Sequence, residues 1–354
     1  MTKHDDNWGV LQSQQDEDQA RASVVSDPAG YHANIAAREL HWFNASANQW
    51  LSRCEGTWQG WHSQSGGQSE ADTDWAPWST PLDDTAAPFY RWFADGLTNA
   101  CFNLLDRHVL SGGGKQQALV FEGDRWDPSK NGGRGGPVFE QRLNYRELLI
   151  EVALRARVLD RLGLSCGDRI ALNLPNILEQ IYYILAAQRL GVIYTPVFGG
   201  FSAKTLSDRI HDAGAKVVIT ADGGYRNAEV VPYKSAYVDP ALDNYVPRPA
   251  ALKALSETLH ARLPAEVATR LEAQVADAVA GEITLERADV MRELGLALER
   301  ERNTAPEIIA ELRTTVASEL ANVGHAVEHV VVVRYTGNDI VEHGRDSWSH
   351  QIIS

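Results

Sequence analysis

Cysteine is scarce in this chain. Cys54, Cys101 and Cys166 are odd in number and far apart, so they offer neither a disulfide framework nor metal-ligand spacing, and a reducing cytoplasm is the simplest reading. Long apolar runs are missing too. None approaches the roughly 20 residues that span a bilayer, and the opening MTKHDDNWGVLQSQQDEDQA holds no apolar signal-peptide core. Positive charge is outnumbered: 33 Lys and Arg against 47 Asp and Glu give a formal net charge of −14. That balance argues against general nucleic-acid binding, while a local basic site for one phosphorylated cofactor stays compatible with it. The rest is an ordinary soluble composition, 44% hydrophobic and 23% charged, and 354 residues suffice for two domains or one large domain with additions.

Two motifs that suggest chemistry do not hold up. Ser111-Gly112-Gly113-Gly114-Lys115 lacks the spacing of a phosphate loop and precedes a strand, Ala118 to Phe121, instead of joining strand to helix. It reads as a plain loop, as does the glycine-rich run Asn131 to Gly136, a hairpin-like connection. His325-Ala326-Val327-Glu328-His329 has the H-x-x-E-H spacing of an inverted zinc protease, which needs both histidines on one helical face. Here the second histidine runs into Val330 to Val333, a buried-strand pattern, so no metal site is assigned. Tryptophans cluster at Trp42, Trp50, Trp58, Trp61, Trp75, Trp78 and Trp92. With acidic neighbours and few Lys or Arg, they read as aromatic anchors of an irregular segment rather than a base-stacking surface. Residues 1 to about 25 read as a mobile or surface-draped leader.

Between residues 144 and 220 the pattern alternates helix and strand. Asn144 and Glu147 form a capping-box pair for a helix with Leu148, Val152, Ala156 and Leu159 on one face. Arg169 to Leu174 is a strand, and Pro175-Asn176 opens a helix to about Leu190, with Ile181, Ile184, Leu185 and Leu190 apolar. Val192 to Val197 is a strand, broken by Phe198-Gly199-Gly200-Phe201. Ser202 caps a helix over Ala203 to Ala213, which turns Leu206, Ile210 and Ala213 to one side and Lys204, Asp208 and Asp212 away. Gly214 fits a left-handed cap, and Lys216 to Thr220 is the next strand. Strand, crossover helix and strand of this length predict parallel strands in a doubly wound, mostly parallel α/β sheet. The turns at Gly199-Gly200 and Gly223-Gly224 follow strand carboxyl ends, where open α/β sheets place ligands, although glycines also serve tight turns alone.

FGGFS, the spacing to the helix ending DRI, and VITADGGYR resemble the acetyl-CoA and propionyl-CoA synthetases, a branch of the adenylate-forming acyl-CoA ligases. FYRWFADGLTNACFNLLDRHV resembles the stretch near the start of acetyl-CoA synthetases. The resemblance covers about residues 88 to 235 and resumes near 326. It implies a two-step activity: ATP and a small carboxylic acid give an acyl-adenylate, and the CoA thiol then attacks the acyl carbonyl. It also implies that Phe198, Gly199, Gly200 and Arg226 hold the nucleotide end of CoA. A glycine admits close backbone approach, and a guanidinium matches a 3′-phosphate. Relatives commonly carry a second basic residue where this chain has Glu229. No S-G-[ST]-T-G-x-P-K pattern occurs in the 354 residues, so no catalytic residue is assigned, ATP and Mg2+ are expected to bind mostly outside this segment, and the segment alone is expected to be inactive. It reads as the N-terminal part of a ligase, ending before its first catalytic motif.

The expected organisation is a leader and Trp-rich segment (1–87), an α/β ligase subdomain (88–238), a helical insertion (239–322) and a return strand of the ligase domain (323–354). The insertion reads as three or four amphipathic helices, with a core from Leu252, Leu255, Leu259, Val267, Leu271, Val275, Val279, Leu296, Ile308, Ile309 and Leu312. Its charge alternation suits a solvated face or a docking surface. Insertion, acidic leader and Trp-rich segment together resemble the ligase portion of the propionyl-CoA synthases. There the ligase activates 3-hydroxypropionate and is followed by hydratase and reductase portions. A stand-alone short-chain synthetase and a non-catalytic CoA-binding or docking module are the other readings.

Overall fold

Asn144 accepts the amide of Glu147 at 2.9 Å, and the Glu147 carboxylate accepts the amide of Asn144 at 2.9 Å. This closed capping box starts the first long helix of the α/β region. The computed structural model describes residues 13–43, 78–301 and 305–353. They fall into two units, Met1–Gly114 and Lys115–Ser354.

In the first unit, α1 (Gln14–Ser26) occupies part of what the sequence presents as a mobile leader, and α2 (Pro28–Glu39) follows it. Ser13 caps α1, Asp16 and Glu17 sit at the positive end of its dipole, and Glu17 pairs with Arg21 one turn on. No residue of α1 is buried, so it carries no apolar stripe for sequence periodicity to detect. The two-stranded ribbon β1 (Leu82–Asp83) and β2 (Arg91–Trp92) follows. Trp42 is buried, donates its indole N–H to Ala36 O at 2.9 Å and packs edge-on against Trp78 and Phe93. Trp50, Trp58, Trp61 and Trp75 lie outside the described residues.

The second unit opens with two antiparallel ribbons. β3 (Gln117–Glu122) pairs with β6 (Glu140–Asn144), and β4 (Trp126–Asp127) pairs with β5 (Gly136–Pro137). The glycine-rich run Asn131–Gly136 forms the turn between β4 and β5, with Asn131 and Gly132 in left-handed conformations. Then come α4 (Tyr145–Arg161), β7 (Arg169–Asn173), α5 (Leu178–Leu190), β8 (Ile193–Pro196), α6 (Ala203–Ala213) and β9 (Val217–Ala221); α3 (Arg107–Leu110) precedes them in the first unit. Gly191 and Gly214 end α5 and α6 at φ +70° and +59°, the left-handed cap that glycine takes without strain.

β14 (His329–Val333) and β15 (Asp346–Trp348) complete a five-stranded parallel sheet in the order β15-β14-β9-β7-β8. β8 and β9 are parallel, as the crossover helix demands, yet they do not pair. β7 lies between them, so the chain reverses its direction of travel across the sheet at β7. Ala171, Val218, Val330 and Val332 share one buried face with Leu206 and Ile210 of α6. Alternate residues Ile170, Leu172, Ile219 and Val331 are equally buried on the other face, so the strands read as continuous apolar runs. On α5, Ile181 is exposed, and Tyr182, Tyr183 and Ala186 take the buried stripe instead.

Between β9 and β14 the chain forms a hairpin, a π-helical turn (Lys234–Val238) and α7 (Asp239–Asp243), then a helical body. That body contains β12 (Tyr245–Pro247), α8 (Arg248–Arg262), α9 (Ala265–Ala278), β13 (Thr284–Glu286), α10 (Arg287–Arg300) and α11 (Pro306–Asn322). It has its own core of Val246, Leu255, Leu259, Leu271, Val275, Leu285, Leu294, Leu312, Val316 and Leu320. Leu296 and Ile308 are exposed and stay outside it, and Ala241 and Leu242 of α7 belong to the sheet's core instead. The β12–β13 ribbon has no counterpart in the sequence reading. Lys204 and Asp208 of α6, read as facing away, bind this ribbon region: Asp208 accepts the Thr284 amide at 3.1 Å, and Lys204 pairs with Glu282 at 2.8 Å. Among the described residues no helix is long and apolar enough to cross a membrane.

Candidate functional site

A cavity of about 600 Å³ opens at the carboxyl ends of β7, β8 and β9. Reversal of chain direction at β7 makes this the switch point of the sheet, the place where diverging loops leave a crevice. One wall is Leu174 to Ile177, leaving β7. Another is Pro196 to Gly200, leaving β8. A third is the ribbon of β10 (Gly224–Arg226) and β11 (Glu229–Val231), with Tyr225 and Arg226 turned to the cavity. Tyr233 and Tyr237 line it from the π-helical turn, Tyr335 from the loop after β14, and Glu122 and Asp124 from the end of β3.

Phe198, Gly199, Gly200 and Arg226 therefore all border one cavity, although 26 positions separate Gly200 from Arg226 in the chain. Phe198 is 68% exposed at the mouth and meets Phe201 edge-on. The two glycine turns converge on Tyr233. A methyl group on Gly199 would collide with the Tyr233 hydroxyl, and one on Gly224 would lie 2.9 Å from the same ring and 2.7 Å from Pro175. Burial pushes the Tyr233 phenol above its ordinary range; Tyr237 adds to the shift and the Arg226 charge opposes it.

Arg226 stands beside the tip of the β10–β11 ribbon. The turn residues Asn227 and Ala228 both have positive φ, +53° and +63°, the conformation of a two-residue primed hairpin turn. Asp124 accepts the Ala228 amide at 3.2 Å, and the Arg125 guanidinium lies 5.5 Å from the Tyr225 ring centroid. These contacts brace the ribbon from the β3 side. Across the ribbon Arg226 is in register with Glu229, yet among the described residues no salt bridge involves Arg226.

The four tyrosines are cavity-lining residues that the sequence reading did not single out, and neither was Asp222, directly after β9, which binds the loop that carries Tyr335. Tyr233 and Tyr237 stand four apart, a helical spacing that places them on one side of their turn. Tyr335 and Asp222 lie more than a hundred positions apart and had no local signal. His325 and His329 do not share a helix. His325 is in the loop before β14 with Nε2 3.0 Å from Ser207 Oγ, and His329 begins β14. Asp239, Asp243 and His343 do gather within ligand distance of one another, but Lys234 pairs with Asp239 and Arg345 with Asp243, so cations of the chain already balance these carboxylates.

The family model of the AMP-binding enzyme matches residues 126–336, more than half of the chain, and that of the acetyl-coenzyme A synthetase N-terminus matches residues 66–104. The chain belongs to the AMP-binding enzyme family. Among its relatives, the acetyl-coenzyme A synthetase of Methylobacillus flagellatus is 40% identical over 223 residues, 63% of this chain and 29% of the relative. The enzyme of the same name from Mycobacterium tuberculosis is 44% identical over 164 residues, 45% of this chain and 23% of the relative. That of Streptomyces avermitilis is 41% identical over 176 residues, 50% and 24% respectively. The chain thus spans less than a third of the length of these curated relatives. The span matched by the AMP-binding model runs from β4 to Thr336 and contains most of the cavity wall.

Proposed function

We propose that this chain supplies the CoA side of an AMP-forming short-chain acyl-CoA ligase. The observation that carries the reading is the meeting of the Phe198-Gly199-Gly200 turn and Arg226 at one cavity at the switch point of the sheet. The cavity suits a nucleotide: aromatic rings and bare glycine backbone for a flat base, and a guanidinium free of ion pairs among the described residues for a phosphate. In this reading Arg226 binds the 3′-phosphate of CoA, the Phe198-Gly199-Gly200 turn lies against the adenine, and the Asp124 contact holds the ribbon. When bound, CoA supplies the thiol that takes the acyl group. The chain's own residues hold and orient it. The 354 residues contain no Ser/Thr/Gly-rich phosphate loop with its lysine, so in this reading ATP and Mg2+ bind mostly outside this segment, and no step through them is derived.

The finer reading places this chain in the ligase portion of a propionyl-CoA synthase. Its acid would be 3-hydroxypropionate, and its partners the remaining ligase, hydratase and reductase portions of the same enzyme. Residues 239–322 are then a helical insertion in the ligase subdomain. Their separate core between the paired strands β9 and β14 supports this. A second reading is a stand-alone acetyl- or propionyl-CoA synthetase, and the relatives' name, acetyl-coenzyme A synthetase, supports its acetyl form.

Titration calorimetry of the chain with CoA and with dephospho-CoA tests the site. CoA should bind more tightly, by about ten- to a hundredfold for a charge-assisted phosphate contact, and Arg226→Ala should remove that difference. Equal affinity for the two in the unmodified chain would refute the assignment.

A further inference from the structure

Asp222 is 1% exposed, directly after β9, and its carboxylate accepts four backbone amides. Oδ1 takes Gly223 N at 2.8 Å, Tyr335 N at 2.8 Å and Thr336 N at 3.0 Å, and Oδ2 takes Gly337 N at 2.7 Å. Among the described residues no salt bridge reaches it. Three of the four donors are consecutive. Gly337, at φ +79°, takes the left-handed conformation that lets successive N–H groups converge on one anion.

The loop these amides belong to, residues 334–345, joins β14 to β15 and has no ladder pairing of its own. Lys234 holds its far end, donating to Val341 O at 2.7 Å and pairing with Asp346 at 2.9 Å. At the near end the carboxylate is the main tether, and Tyr335 stands there. The Tyr335 ring meets Tyr225 edge-on at 5.8 Å, and both line the cavity. The loop also sits close on Gly223, where an added methyl would lie 3.0 Å from Asn338 Nδ2.

We propose that Asp222 is a positioning residue for the cavity: its buried carboxylate clamps the loop after β14 and so fixes Tyr335 as a wall of the nucleotide site. The functional half rests on the CoA reading above. A charge buried this deeply is stabilised only by its donors. Asn at this position turns one acceptor into a donor facing N–H groups, so the clamp opens without loss of side-chain volume.

Two measurements on the 354-residue chain test this together. Hydrogen exchange should show the amides of residues 335–337 losing protection in Asp222→Asn while β7 and β9 keep theirs. Gly337→Ala leaves the carboxylate unchanged but strains the loop at one of its donors, and it should act in the same direction, which covers the case of an Asn variant that does not fold. Titration with CoA should show about tenfold weaker binding for Asp222→Asn and a similar loss for Tyr335→Ala. The double variant should lose little more than either single one, because both act through one ring. Unchanged exchange at 335–337 overturns the clamp, and additive losses in affinity overturn its action through Tyr335. If the unmodified chain binds no CoA while exchange changes as expected, the nucleotide reading of the cavity falls, its functional half here falls with it, and the clamp stands.

Discussion

Gly199 leaves its side-chain space to the ring of Tyr233. The phenol oxygen and the ring edge occupy the place where a Cβ on residue 199 would begin. This glycine, read from sequence as a point where backbone approaches a ligand, serves first to admit a tyrosine from 34 positions downstream. Gly199→Ala should therefore lower stability by about 1–3 kcal/mol through overpacking, measured by urea unfolding. Tyr233→Ala opens the space, so the double variant should be more stable than the sum of the single losses. Strict additivity would show that the two do not compete for room.

His325 links stability to pH. Burial, helped by the nearby charges of His211 and Arg287 and opposed by a hydrogen bond to the Ala241 backbone and by Asp208, pulls its pKa from 6.5 to about 4. Ser207 faces it at Nε2. The unfolded chain therefore takes up a proton near pH 6.5, while the folded one resists until about pH 4. Stability contributed by this site is full above pH 6.5 and falls by up to about 1.4 kcal/mol per unit as pH drops through that window. Unfolding free energies measured from pH 7 to 4.5 should fall less steeply in His325→Gln. Parallel pH profiles would exclude the histidine as the cause.

Lys234 is fully buried, and so nearly is its partner Asp346, at 2% side-chain exposure. Lys234→Met would leave Asp346 and Asp239 without their cation, at a cost of about 3–5 kcal/mol. Adding Asp346→Asn should recover part of it, because the orphaned charge is then gone. Denaturant midpoints decide the matter, and a Lys234→Met midpoint equal to that of the parent chain would contradict it.

Ala228 holds φ +63° in the ribbon turn beside Arg226. An L-residue in this region pays roughly 1–2 kcal/mol that glycine does not, and the greater freedom of unfolded glycine takes back part of the gain. Ala228→Gly should raise the melting temperature by a few degrees, consistent with roughly 0.5–1 kcal/mol. A fall would show that the turn is not strained.

The sheet was legible in the sequence because its signals are local. Asn144 with Glu147, Gly191 and Gly214 mark helix ends within a few residues, and the β-branched runs between them have nowhere to go but a buried sheet. Strand order was not legible. That β7 sits between β8 and β9 depends on which edge the chain returns to, and no short window records it. α1 escaped notice because a helix polar on all sides leaves no periodic stripe. At the site, Phe198, Gly199, Gly200 and Arg226 were visible through resemblance. Tyr335 and Asp222 were not, since a loop beyond β14 reaches the cavity only once the sheet has formed. Lys204 and Asp208 looked like a solvated helix face because charge pattern alone does not distinguish water from the β12–β13 ribbon.

The pairing of β9 with β14 joins residues about 110 apart in sequence, Val217 beside His329. Contacts of such long separation slow folding, since a large loop must close before any ladder bond rewards it. The helical body between them alters that problem. Its core draws on residues from Val246 to Leu320 alone, and the antiparallel ribbon Tyr245–Pro247 with Thr284–Glu286 fastens its entrance to its middle. Once that core has formed, the tether between the strands behaves as a short spacer around a folded bead rather than a long coil.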